Sequence, residues 1–131
     1  MKRFILAAAL AFIAAILFII FSPTGKAHAP VKEKAVVEFP EKVKLLGVFL
    51  KGEYLFVHDE EKMARGEDCT YIYTSAKGQP GTLVLSFHCV PVERKKVDRF
   101  TVVTTRLLPD LLELREYQFA GTTHGHGVPR G

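Results

Sequence analysis

CTYIYTSAKGQPGTLVLSFHC, running from Cys69 to Cys89, sets the class of the chain. Its first arm, Cys69 to Thr74, is β-branched and aromatic, which suits a pleated, half-buried surface. Its second arm, Thr82 to Cys89, has the same character. Between them Ser75 to Gly81 holds Gly78, Pro80 and Gly81, residues that punctuate a chain and favour a hairpin turn. The segment therefore predicts two antiparallel strands with a cysteine at each outer end.

Working outward, the same grammar repeats. Upstream, Val43 to Leu50 reads as an apolar strand, Lys51-Gly52-Glu53 as a turn, and Tyr54 to His58 as the returning strand. Val36 to Phe39 is a candidate first strand. Asp59 to Asp68 is charged and reads mainly as a loop, with room for one helical turn ending at Gly66. Downstream, Pro91 to Asp98 is a charged connector, Phe100 to Leu107 a strand, and Leu111 to Phe119 the last strong strand. Gly121 to Gly131 reads as a glycine-rich tail. Six to eight short strands at hairpin spacing predict an all-β fold, a small antiparallel sandwich or barrel. The expected organisation is an N-terminal membrane segment over 1–21, a tether over 22–40 and a β-domain over 41–131.

The membrane segment is the unbroken apolar run FILAAALAFIAAILFIIF from Phe4 to Phe21, preceded by Lys2 and Arg3. Eighteen residues at about 1.5 Å each give roughly 27 Å of helix, close to a hydrocarbon core of about 30 Å. Lys2 and Arg3 hold the N-terminus on the cytoplasmic side, so the chain after Phe21 is exported. Two readings share this topology. One is a retained single-pass anchor in the inner membrane with its C-terminal domain in the periplasm. The other is a signal peptide cut after Ala27-His28-Ala29, leaving a periplasmic or secreted domain. The run is longer than an ordinary signal core and Pro30 is a poor residue to succeed a cut, which favours the anchor.

Charge obeys the same division. The chain of 131 residues has 18 Lys and Arg against 14 Asp and Glu, a formal net charge of +4. Lys2, Arg3 and Lys26 precede Pro30 and all the acidic residues come after it, so the exported part carries 15 basic against 14 acidic groups. A nearly neutral exported domain is a poor match for nucleic acid, which calls for a basic face.

Cys69 and Cys89 are the only cysteines. With the hairpin centred near Gly78, Cys69 falls opposite about position 87, and a bulge brings Cys89 within reach. Export means an oxidising setting, so a structural disulfide is expected. Closing that loop stabilises by about 3 kcal/mol in the chain-entropy account. No C-x-x-C or C-x-x-C-H motif is present, which removes thioredoxin-type redox chemistry and covalent haem attachment.

Five histidines remain, of which His28 belongs to the tether. His124 and His126 are two residues apart, so in an extended chain both imidazoles face one side, a workable start for copper or zinc. His58 and His88 lie at strand ends and complete a candidate set if the tail folds back, with Asp59 and Met63 as neighbouring donors. The plainer reading is a solvated tail and an ordinary packed His88.

No nucleophile elbow, phosphate loop, dinucleotide fingerprint or calcium loop is present. The acidic groups at Asp59 to Glu61 and at Glu67 and Asp68 lack regular ligand spacing, and Glu93 to Lys96 reads as a solvated connector.

YLFVHDEEKMARGEDCTYIY, SFHCVPVERKKVDRF and EYQFAGTTHGHGVP, spanning about residues 54 to 129, resemble small exported bacterial envelope proteins to which no activity is assigned. The resemblance implies an envelope setting and brings no site residues.

The leading functional expectation is thus a non-catalytic, membrane-anchored β-domain that binds a protein partner, as an accessory subunit of a membrane complex. Phe49, Tyr54, Phe56, Tyr117 and Phe119 are its candidate anchors. The alternative is a periplasmic copper- or zinc-binding protein using the C-terminal histidines. An enzyme assembled from scattered residues ranks third.

Overall fold

A computed structural model of the chain describes residues 32–130. The apolar run from Phe4 to Phe21 lies outside the described residues, and among those described no helix is long and apolar enough to cross a membrane. The described chain is all-β as expected. Its eight strands are β1 (Lys32–Leu45), β2 (Val48–Asp59), β3 (Thr70–Ala76), β4 (Gln79–Phe87), β5 (Val90–Glu93), β6 (Thr101–Leu108), β7 (Leu111–Gln118) and β8 (His124–Gly127), with one short helix, α1 (Glu60–Ala64).

The central hairpin forms as its sequence predicts. β3 and β4 close on the two-residue turn Lys77-Gly78, with Ala76 opposite Gln79. Both turn residues have positive φ, 52° and 79°, the backbone of a type I′ turn that matches strand twist. Two register irregularities farther along carry Thr70 opposite Phe87.

Upstream, the strands are longer than expected and their turn sits elsewhere. β1 begins at Lys32, so its first residues occupy the stretch assigned to the tether, and Pro40 lies inside the strand. Pairing with β2 is irregular between Phe39 and Val43, which leaves Pro40 free of the ladder hydrogen bond it has no N–H to make. The β1–β2 turn is Leu46-Gly47, with Leu45 opposite Val48, not Lys51 to Glu53. Leu46 takes the left-handed conformation there, φ 57°, and β2 then runs unbroken past Gly52.

The strands form one sheet in the order β4-β3-β2-β1-β7-β8-β5, with β6 also paired to β7. It is mixed and not purely antiparallel, because β1 and β7 run parallel at Val43–Leu112 and Lys44–Glu113. β4 and β5 stand at opposite ends of that order, yet only His88 and Cys89 separate them in the chain. The sheet must therefore roll until its ends meet, and the seam is the bend at His88-Cys89, as at corners where one strand passes between sheet faces.

Rolling encloses the core. Phe56 of β2 and Tyr117 of β7 are fully buried and meet edge to face at 5.4 Å between ring centroids. Phe100 and Phe119 extend this cluster, and Leu45, Leu50, Ile72 and Leu114 complete it. Each such side chain contributes about 1.5–3 kcal/mol on leaving water. Three of the five aromatics considered as partner anchors, Phe56, Tyr117 and Phe119, are thus core residues; Phe49 alone among them is well exposed, at 56%.

Candidate metal centre

Two rows of side chains cross the inner face beside the seam. Register places Glu33 of β1 opposite His58 of β2, and His58 opposite Thr70 of β3. Directly opposed residues share a face, so this row reads Glu33, His58, Thr70. The second row comes from β7, β8 and β5, where Tyr117 faces His126 and His126 faces Pro91. The roll brings the rows together. The His58 and His126 rings lie 4.0 Å apart between centroids, and the Thr70 and Tyr117 hydroxyls hydrogen-bond each other.

The cysteines enter where these rows meet. Cys69 immediately precedes Thr70 and its carbonyl accepts the Asp59 N–H at 2.9 Å. Cys89 sits at the seam. Both are wholly buried. Their sulfurs are 3.2 Å apart and both thiols are free, so the expected disulfide is not formed; a covalent bond requires about 2.05 Å. Each sulfur has other neighbours instead. The Cys89 N–H donates to Cys69 Sγ at 3.4 Å. Cys89 Sγ lies 3.6 Å from His58 Nε2, 3.5 Å from His126 Nδ1 and 3.8 Å from Met63 Sδ.

Met63 reaches this point from α1. Asp59 caps the helix by accepting the Lys62 N–H on its side-chain oxygen at 3.2 Å, a strong N-terminal signal. Gly66, at φ 76°, reverses the chain after one turn. The stretch expected mainly as loop is therefore a short capped helix that sets a half-buried thioether beside the thiols.

These distances have the scale of a coordination shell. A tetrahedral ion held at about 2.3 Å from sulfur and 2.0–2.1 Å from nitrogen separates S from N by about 3.6 Å and S from S by about 3.8 Å. The two Cys89-to-histidine distances match the first value. The two thiol sulfurs are closer than the second, so closure on an ion would move them apart by about half an ångström. One donor atom from each of His58, Cys69 and Cys89 lies within 4.8 Å of the other two, and Glu33, His58 and His126 make a second such group.

His58 joins the two groups. Its Nε2 faces sulfur, and its Nδ1 lies 3.7 Å from Glu33 Oε1. Nδ1 is buried and has no hydrogen-bond partner, an arrangement costly enough to require a reason. A carboxylate behind a ligating imidazole supplies one, since it fixes the ring and raises its basicity. Glu33, His58, Met63, His124 and His126 also line a cavity of about 300 Å³ on the histidine side of the cluster. A larger hollow, about 580 Å³, lies at Lys44, Glu113 and Pro129, away from these donors.

Burial controls the proton affinities. It lowers His58, against the pull of Glu60 and Asp59. It lowers His126 to about 4, helped by the neighbouring His58 and His124. It pushes the Cys89 thiol up to about 12, with Cys69 adding to the effect. Burial and the Glu60 charge raise Glu33, against His124. At neutral pH the imidazoles are uncharged bases, while Cys89 keeps its proton until something displaces it.

The sequence-derived candidates separate cleanly. His126 and His58 both converge on Cys89. His124 is exposed at the mouth of the cavity. His88 is exposed, and its Nδ1 donates to the Glu67 carbonyl at 3.0 Å while lying 3.9 Å from Cys69 Sγ, so it borders the cluster with that nitrogen already engaged. The expected tail is no tail, because His124-Gly125-His126-Gly127 forms β8 between β7 and β5. Gly125 permits this. A Cβ there would stand 2.7 Å from Glu116 Oε2, where Arg94 binds Glu116 through two nitrogens at 2.7 and 2.8 Å. Sequence reading missed Glu33, which it placed in the tether; alternation along Glu33, Ala35 and Val37 was the available sign of a strand face.

Comparison with protein-family models, curated proteins and solved structures finds no match to this chain.

Proposed function

We propose that the chain is an extracytoplasmic metal-binding protein that holds one copper or zinc ion between Cys69, Cys89, His58 and His126, on a domain carried by its N-terminal apolar segment. One observation carries the reading: a buried thiol, Cys89, with a second thiol and two imidazole nitrogens all within 3.6 Å. Thiolate and imidazole together suit copper and zinc and exclude magnesium or calcium, which prefer oxygen. The donors come from the β2 end, the β3 start, the seam and β8, so the fold itself sets their positions. The accessory-subunit reading has less to rest on, since most of its aromatic anchors are spent in the core.

Metal titration of the full chain, purified in detergent without a histidine tag and with its thiols reduced, tests this. The expected result is one ion per chain, bound with a dissociation constant well below micromolar. Absence of binding above that of a denatured control overturns the proposal.

A further inference from the structure

We infer that Met63 is a further ligand of this centre and makes it selective for copper(I) over zinc(II); the inference rests on the metal-binding reading. The observations are positional. Met63 Sδ stands 3.8 Å from Cys89 Sγ, the separation of two sulfurs that share an ion at about 2.3 Å. It lines the same cavity as His58 and His126, so it approaches from the side on which an ion enters. Nothing about α1 as a structural element calls for a thioether there. The helix buries none of its residues completely and is held by the Asp59 cap, and a leucine would pack against the core as well.

The donor set then has three sulfurs, two of them thiolates, and two imidazoles competing for one ion. Thiolate and thioether donors are soft and favour copper(I). Zinc is satisfied by Cys₂His₂ in a closed tetrahedron and gains little from a thioether. Met63 thus changes the choice between ions more than the strength of the site as a whole. α1 also links that choice to access, because the helix that presents the sulfur forms one wall of the cavity.

The test is anaerobic competition for copper(I) against a chromophoric copper(I) chelator, and for zinc(II) against a zinc indicator, on the full chain and on Met63→Leu. The expected outcome is a loss of copper(I) affinity of tenfold or more in Met63→Leu, with zinc(II) affinity unchanged. Equal loss for both ions, or no loss for either, overturns the role of Met63 and leaves the metal site standing. Failure of the wild-type chain to bind either ion overturns the metal-binding reading itself. X-ray absorption of the copper(I)-loaded wild-type protein decides the point without a variant: three sulfur neighbours support the inference and two contradict it.

Discussion

Tyr117 and His126 are register partners across β7 and β8, and their rings stack with centroids 5.0 Å apart and planes at 26°. The same tyrosine is bonded through its hydroxyl to Thr70 on β3. One core residue therefore ties the strand that carries His126 to the strand that begins just after Cys69. Tyr117→Phe keeps the stack and leaves the Thr70 hydroxyl buried without its partner, at a cost of about 1–3 kcal/mol. Denaturant unfolding of the metal-free protein should show that loss as a lower midpoint with an unchanged slope.

The buried imidazoles make stability depend on pH. His126 and His58 are both held below the ordinary histidine value, so the unfolded chain binds protons more readily than the folded one. Their contribution is complete above about pH 6.5, the unfolded value, and is lost as pH falls toward about 4, the folded value of His126. The loss is on the order of 3 kcal/mol for His126. Around the pair, His124 opposes protonation of His126, Glu60 and Asp59 favour that of His58, and Glu33 stands beside His58. The melting temperature of the metal-free protein should drop between pH 7 and pH 5, and His126→Asn should flatten most of that slope.

Metal binding should weaken in the same direction. The Cys89 thiol, pushed up to about 12, must lose its proton to bind an ion. Apparent affinity should therefore rise about tenfold per pH unit from this group alone, measured by chelator competition between pH 6 and pH 8. A flat profile would mean that Cys89 is not a ligand.

Gly125 is required by its surroundings, not by its backbone angles. Gly125→Ala places a methyl against the Glu116 carboxylate where Arg94 grips it. The overpacking costs about 1–3 kcal/mol and displaces β8, so affinity for metal should fall together with the melting temperature. Gly47→Ala, in the β1–β2 turn with nothing near its would-be Cβ and no positive φ, should leave metal affinity unchanged.

Glu33→Gln probes the carboxylate behind His58. Outer partners of ligating histidines are generally worth 10- to 100-fold in affinity, and a loss in that range is the expected result of a zinc titration. An unchanged affinity would show that the 3.7 Å approach does nothing for the ion.

The parts of the fold and site that were readable in the sequence are those built from local contacts. The hairpin that juxtaposes Cys69 and Cys89 is local, and its turn residues announce it. Its consequence, two sulfurs side by side, was legible; whether they bridge or ligate was not, because that depends on His58 and His126, which are 68 positions apart and meet only when the sheet rolls. β8 was hidden because His-Gly-His-Gly reads as loop, and the reason for its glycine is an ion pair contributed by β5 and β7 neighbours. Pro40 reads as a boundary and hides the length of β1, while in the fold it occupies an irregularity of the β1–β2 ladder. The same apparent boundary hides Glu33.

Whether Cys69, Cys89, His58 and His126 together hold one ion is decided by parallel titration of four single variants. Cys89→Ser and His126→Asn should each lower affinity for zinc(II) by at least two orders of magnitude. His88→Asn and His124→Asn, the first removing an imidazole whose Nδ1 is already bonded to the Glu67 carbonyl and the second one exposed at the cavity mouth, should bind within a few-fold of wild type. Equal losses in all four, or retained binding in Cys89→Ser, would mean that these four side chains do not hold the ion.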